Sequence, residues 1–546
     1  MQRRSFLRLL GSGGAAASGL PLAASNPGRG AVRAEPARTP LEIGQEKQLF
    51  LDDHVVETLE PRVFKLLNQP VRHPENPVIP LGTDWEQKGG LSHGGDAATV
   101  LYDPELKLYR FYGWMIPWPA RGESFRKFIF YAESEDGLHW RKPPLGQERY
   151  LGYDTNFIRL PFLGDATPGN VGVFLDPVAR TSEERYKILY ERKQDGKWGF
   201  YPGYSADGLH FQPYPVSRPA IPFHSDTNNN PIWNPGTNEY LIYHRTHPRL
   251  DRWFQPESVY PEGARARTAA WAASRDFLDW DGPGDKRDPE ERYVCFHADS
   301  KDRVGDRDFY TLEVLPYAGG SVGFTSVYHN LMGQIPAGTD SGKARSPWVD
   351  RIDVQLLWSR DARRFERVGD RRVFLPNGPA GSWDEHLCYT AQAPIVREDL
   401  GEIWIYYEGF GGRHHFKQRG EQQRGQIGLA VLRLDGFVSI TGAGSLTTRP
   451  LVFKGNRLRI NATGRDRYAG DGYGTVKVAL LDGETGRALP GYGLDDCRVF
   501  GGDSISHAVS WRGSADVGAL EGKAVQVRFQ VHRAKLFSFR FTREPV

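Results

Sequence analysis

The sequence predicts an all-β fold: a five-bladed β-propeller followed by a C-terminal β-sandwich. Three observations lead there. First, SEDGLHW at 134–140 returns as SADGLHF at 205–211, SRDFLDW at 274–280 and SRDARRF at 359–365, with a weaker RLDGFVS at 433–439. The copies begin 71, 69, 85 and 74 residues apart, close enough to regular to mark a structural period. Second, the stretches between copies are short, β-rich apolar segments separated by turn residues, without long helical periodicity. Third, the last hundred or so residues change character and alternate as two-faced strands do.

The elements follow in order. In the first repeat, DAATVLYD (96–103), LYRFYGWM (108–115) and KFIFYAES (127–134) read as successive strands, and the Asp-Gly turn leads to an outer segment. The second offers NVGVFLDP (170–177) and RYKILYER (185–192), and the third NNPIWNPG (229–236) and EYLIYHRT (239–246). The fourth begins at DFYTLEVLPY (308–317); the fifth holds DEHLCYTAQAPIV (384–396), EIWIYYEG (402–409) and QIGLAVLRLDG (426–436). Radial repetition leaves few open strand edges, which favours a propeller over a solenoid of shorter repeats. The propeller is expected at 45–442 and the sandwich at 443–546, with RLRINA (457–462), TVKVALLD (475–482), AVQVRFQV (524–531) and FSFRFT (537–542) as strands.

The N-terminus carries a different signal. Arg3 and Arg4 open RRSFLRLL, and GSGGAAASGLPLAA follows. That order resembles a twin-arginine export signal over 1–34, with 35–44 as linker, and implies a periplasmic or secreted protein. No later run of 18 apolar residues predicts a membrane span in the mature chain. The 70 basic and 67 acidic residues leave a charge of +3 with no basic tract, which argues against nucleic acid as partner. Cys295, Cys388 and Cys497 are too scattered for a disulfide framework. The 14 Trp and 24 Tyr supply rings that can serve either a core or the faces of sugars.

Polar residues that start the inner strands could point into an axial pocket: Asp96, Asn170, Asp226, Asp308 and Asp384, with Glu385 beside the last. Acids paired across a pocket suit glycoside hydrolysis, one as base or nucleophile and one as proton donor. Asp96, among the glycines of GGLSHGGDAATV and near His93, is the preferred base. Glu385 is the candidate acid with Asp384 its rival, and Asp308 would orient substrate or tune the acid; Asp226 is another claimant. Trp114, Glu191, Arg192, His244, Arg245 and Glu408 occupy related strand ends and could form sugar subsites; the arginines suit an anionic sugar. His414, in GGRHHF with His415, reads as a substrate contact rather than a zinc ligand. The acidic 299–308 loop lacks EF-hand spacing, so no cofactor is required, with room for a single structural Ca2+.

LFLDDHVVE (49–57), QPVRHPENPV (69–78), SADGLHF and IGLAVLRLDGFVSI (427–440) together resemble bacterial secreted family 32-like glycosyl hydrolases, related in fold to the propeller glycosidases of families 32 and 43. The resemblance implies an early acid as base or nucleophile, matching Asp96, and a later glutamate as donor, matching Glu385. The chain departs from family 32 in having SHGGDAAT at 92–99 in place of an Asn-Asp-Pro-Asn motif, and no Glu-Cys pair. The expected function is an exported glycoside hydrolase acting on an oligo- or polysaccharide. A polysaccharide lyase, a glycoside phosphorylase and a non-catalytic sugar-binding propeller are its alternatives.

Overall fold

In the computed structural model of the chain, the repeated motif is a side-chain-built turn. Ser134 Oγ accepts from Gly137 N at 2.9 Å and donates to Asp136 Oδ1 at 2.9 Å. Asp136 Oδ1 also accepts from Leu138 N and His139 N, each at 2.8 Å. Ser205 with Asp207 and Ser274 with Asp276 repeat these bonds. Asp361 does the same for Arg363 N and Arg364 N. The residue after each aspartate is left-handed: Gly137 at φ +78°, Gly208 at +71°, Phe277 at +70° and Ala362 at +59°. Glycine takes this conformation freely, whereas a Cβ there costs about 1–2 kcal/mol. The closing tryptophans fold back on the turn, Trp140 Nε1 donating to Gly137 O at 3.0 Å and Trp280 Nε1 to Phe277 O at 2.9 Å.

Three of these turns are gripped by another repeat. Arg110 of the first repeat donates to Asp207 O of the second at 2.5 Å. Tyr243 of the third donates to Ala362 O of the fourth at 2.8 Å, and Tyr406 of the fifth to Gly137 O of the first at 2.7 Å. The fifth copy is built differently. Asp435 itself is left-handed at φ +61° and buried, and its carboxylate accepts from Lys47 Nζ at 2.8 Å, Ser538 Oγ at 2.6 Å, Asn461 Nδ2 at 3.1 Å and the Tyr317 hydroxyl.

The structure describes residues 39–94, 98–117, 127–164, 170–225, 229, 231–249, 265–299, 301–302, 308–329, 350–392, 394–414, 424–465 and 474–545. The expected export signal, Asp96, Asp226 and His415 lie outside them. The described residues are all-β apart from a five-residue helix, Asp84–Lys88, and short 3-10 turns. Their strands form six sheets of five, four, three, two, ten and ten strands.

The expected five-bladed propeller is corrected by this topology. Each sheet is an open path of paired strands, and none closes or curls into the expected architecture. The fourth and fifth repeats do not form independent units. Arg351–Ser359 and Leu387–Thr390 pair in parallel through Ile352 and Leu387, which fuses both repeats into one ten-stranded sheet. A sequence period reports that units recur, but it carries no information on which edges then join.

The C-terminal sandwich is corrected as well. Segments 524–531 and 537–542 are one 18-residue strand, Val525–Thr542, around which a single ten-stranded sheet is organised. Its first half pairs with Thr475–Asp482 and its second with Arg457–Thr463, while Val438–Thr448 runs alongside. The sheet also takes in N-terminal strands: Gln48 faces Phe539, and Val56–Leu59 and Val63–Leu67 pair with Val438–Thr448. Phe453 and Phe541 stack at 3.7 Å in its core. Val71–Arg72 adds an edge strand beside Gln426–Arg433, secured by Arg72 Nε on Asp384 Oδ2 at 2.7 Å.

Candidate functional site

Strand Tyr186–Gln194 carries Glu191 near its end, opposite Phe200 of the neighbouring strand. Glu191 is buried, and a buried carboxyl group needs hydrogen-bond partners. It finds them in the segment that follows the second repeat: Glu191 Oε1 lies 2.6 Å from His224 Nδ1 and accepts from Ser225 N at 3.3 Å. A carboxylate oxygen can only accept, so Nδ1 is the donor of this bond and Nε2 is the nitrogen available for chemistry. The His224 side chain is 47% exposed while that of Glu191 is 1% exposed. Trp198, itself half-exposed, stands 5.7 Å from the His224 ring.

A chain of polar contacts continues inward. Asn170 Nδ2 donates to Ser225 O at 2.8 Å, and Lys127 Nζ donates to Asn170 Oδ1 at 2.9 Å. The Lys127 ammonium also lies 4.0 Å from the ring centroid of Trp114. On the other side, the Phe223 ring meets His244 edge-on at 5.4 Å, which joins this segment to strand Glu239–Thr246. Burial pushes His244 down to about 3, so it is a neutral core histidine. The next residue, Arg245, sets its guanidinium 4.0 Å from the ring of Tyr310. Tyr310 Oη lies 2.8 Å from His414 Nε2, and Arg267 approaches the same ring at 5.3 Å while holding Asp308 at 3.3 Å. Tyr328 donates to Asp350 Oδ1 at 2.8 Å; burial first and that carboxylate second raise the phenol well above its ordinary range.

Among the described residues, the acids chosen from sequence (Asp308, Asp384 and Glu385) do not assemble into a paired-carboxylate centre, which corrects the expected mechanism. Asp308 is engaged by Arg267 Nη1 and by Arg267 N at 2.9 Å. Asp384 is buried in a structural cluster with Arg72, Tyr407 Oη at 2.9 Å and Ser382 Oγ at 2.8 Å. Glu385 accepts from Gly381 N at 2.8 Å, with His386 Nε2 at 3.5 Å. Two cavities, of about 590 and 120 Å³, open among the described residues, and none of these acids lines either. His93 is packed edge-on against Phe111 and Phe130 at 5.6 and 4.9 Å, and burial pushes it down to about 3. Arg192 lies 4.1 Å from the Tyr201 ring and donates to Gln194 Oε1 at 2.7 Å. Glu408 is buried opposite Tyr389.

Of the expected site residues, the structure links Glu191 and Trp114 through one polar chain, and Arg245, Asp308 and His414 around Tyr310. Sequence reasoning missed His224, Trp198, Lys127 and Tyr310. His224 lies 33 residues from its partner in a stretch without strand pattern, and only its imidazole in AIPFHSD could have flagged it. Among the described residues no group of three or more His, Cys, Asp or Glu is placed to hold a metal, and no helix is long and apolar enough to cross a membrane.

No family model matches the chain, and no curated protein matches it. Among solved structures, one titled simply a glycoside hydrolase is 12% identical, covering 69% of this chain and 92% of its own at a TM-score of 0.41. An N-acetylgalactosamine deacetylase from F. plautii is 13% identical over 69% and 96%, at 0.40. A β-fructofuranosidase from Schwanniomyces occidentalis is 10% identical over 87% and 97%, at 0.39. Likenesses this weak, spread over distinct families, assign neither a fold nor a reaction to this chain. With open sheets in place of a propeller, they do not uphold the resemblance to family 32-like hydrolases.

Proposed function

We propose that the chain is a carbohydrate-acting enzyme whose proton-transfer group is His224, oriented by Glu191. The observation that carries this reading is the 2.6 Å contact between a buried carboxylate and the Nδ1 of a half-exposed imidazole. In that arrangement Nε2 takes a proton from a substrate hydroxyl or a water and returns it to a leaving oxygen, and the carboxylate stabilises the imidazolium formed between the two steps. The indole of Trp198 beside the imidazole offers a flat apolar surface of the kind sugar rings pack on, and the Lys127 ammonium, held by the buried Asn170, is a donor to which a saccharide's hydroxyl oxygens are suited.

The test is a panel of neutral and acidic saccharides, with products followed by mass spectrometry in ordinary and heavy-oxygen water. His224→Ala should lower kcat by about 10²–10⁴-fold, the usual contribution of a positioned acid–base group. Glu191→Gln should lower it less, because the amide oxygen still accepts from Nδ1 but no longer carries the charge that stabilises the reaction's imidazolium. Sugar binding should survive both. Undiminished turnover in His224→Ala would sink the assignment, and the label in the products identifies the bond chemistry.

A further inference from the structure

The cavity of about 590 Å³ lies apart from His224, and Phe296, Lys301, Arg364, Arg367 and Arg371 help to line it. Its charges are unevenly matched. Arg371 Nη1 donates to Asp299 Oδ1 at 2.7 Å, and a second bond between the same groups makes the pair bidentate. Arg371 also lies 3.2 Å from Asp302. Arg367 receives less. Its side chain is 9% exposed, packed with its guanidinium 4.2 Å from the Phe309 ring and 5.5 Å from that of Phe296. One nitrogen donates to Gln355 Oε1 at 2.5 Å, while Nε and Nη2 are buried with no hydrogen-bond partner. Its nearest acid is Asp302, at 3.6 Å and shared with Arg371.

A buried guanidinium so placed is short of counter-charge, since desolvation of a cation is repaid only by close pairing. Burial pushes Arg367 down to about 10, and the neighbouring Arg371 charge adds to the effect. Glu366 and Asp370 stand exposed on the rim. The apolar wall from Phe296 and Phe365 and the size of the cavity match a small-molecule site rather than a bare ion-pair network.

We infer that this cleft binds a compact ligand bearing an oxyanion, held by Lys301, Arg364 and Arg371, whose negative charge completes the compensation of Arg367. A carboxylated sugar and a sulfate or phosphate group share that chemistry. The inference is independent of the role given to His224.

Thermal unfolding of the full chain at fixed ionic strength provides the test, with sodium sulfate, sodium phosphate, sodium glucuronate and neutral glucose as probes and chloride as the balancing salt. A ligand that binds the folded state raises the midpoint in a saturable way. At least one of the three anions should do so and glucose should not; a response to glucuronate alone identifies a carboxylate ligand, and one to sulfate or phosphate a tetrahedral one. Lys301→Ala, at an exposed position, should weaken the apparent affinity about threefold or more, about the effect of losing one exposed charge contact. Arg367→Met should abolish the response. No anion-specific shift, a shift that follows ionic strength alone, or a response unchanged in Lys301→Ala would overturn the inference, the last even if Arg367→Met fails to fold.

Discussion

Replacing Gly208 with alanine tests whether the repeated turn holds neighbouring sheets together. A Cβ at this position would lie 2.6 Å from Arg110 Nη1, 2.6 Å from Tyr112 Oη and 2.9 Å from Tyr186 Cδ1. None of these groups can step aside. Arg110 is tied to Asp207 O and, at 2.9 Å, to Tyr131 Oη, and both tyrosines are fully buried. The left-handed backbone alone costs an alanine about 1–2 kcal/mol, and forced repacking adds about 1–3 kcal/mol. Gly152 separates the two contributions. It sits at φ +85° in the exposed turn between Arg149–Tyr150 and Tyr153–Asp154, where a Cβ would meet nothing within 4 Å. Gly152→Ala therefore carries the backbone strain without the clash. Urea unfolding of both variants, followed by tryptophan fluorescence and compared at a common slope, measures the difference. Gly208→Ala should lose about 1–3 kcal/mol more than Gly152→Ala. Equal losses would refute the view that Arg110 and the two tyrosines form a tight seat for the turn.

Further tests bear on charge. Arg72→Leu leaves the buried Asp384 without its guanidinium and should destabilise the chain by about 3 kcal/mol in the same urea assay; a loss below about 1 kcal/mol would mean that Tyr407 and Ser382 suffice to hold the carboxylate. Hydrogen bonds from the His210 ring and from the N–H groups of His210 and Leu209 outweigh partial burial and hold Asp207 at about 2, below the ordinary 3.8. A depressed carboxylate contributes stability that is present above pH 3.8 and lost as the pH falls through about 2. Acid titration of stability in Asp207→Asn should accordingly be flatter than the parent across that window, and identical acid limbs would contradict the assignment.

Much of the local structure was legible. The β-rich apolar segments LYRFYGWM, RYKILYER, EYLIYHRT and EIWIYYEG correspond to the strands Leu108–Pro117, Tyr186–Gln194, Glu239–Thr246 and Glu402–Phe410. The turn motif was legible because its bonds span only two or three residues, a range over which residue identity dictates geometry. What failed was long-range. Nothing local in VETL or VFKLL says that these segments pair with residues hundreds of positions away, and the polar HRAK at 532–535 looked like a break although the strand runs through it, with Arg533 at φ +51°. The site failed for the same reason. An aspartate before a strand reads alike whether it faces a substrate or, as Asp384 does, an arginine from the other end of the chain.

The strand Val525–Thr542 has a consequence for the order in which this protein can be made. Gln48 and Leu49 leave the ribosome long before their partners Phe539 and Ser538. That pairing therefore cannot form until Val525–Thr542 has been made. A transcript truncated before codon 525 would yield every repeat but leave Gln48–Leu49 without its partner and Val438–Thr448 open along the edge that Val525–Thr542 covers, the features by which quality control and aggregation alike recognise an unfinished chain.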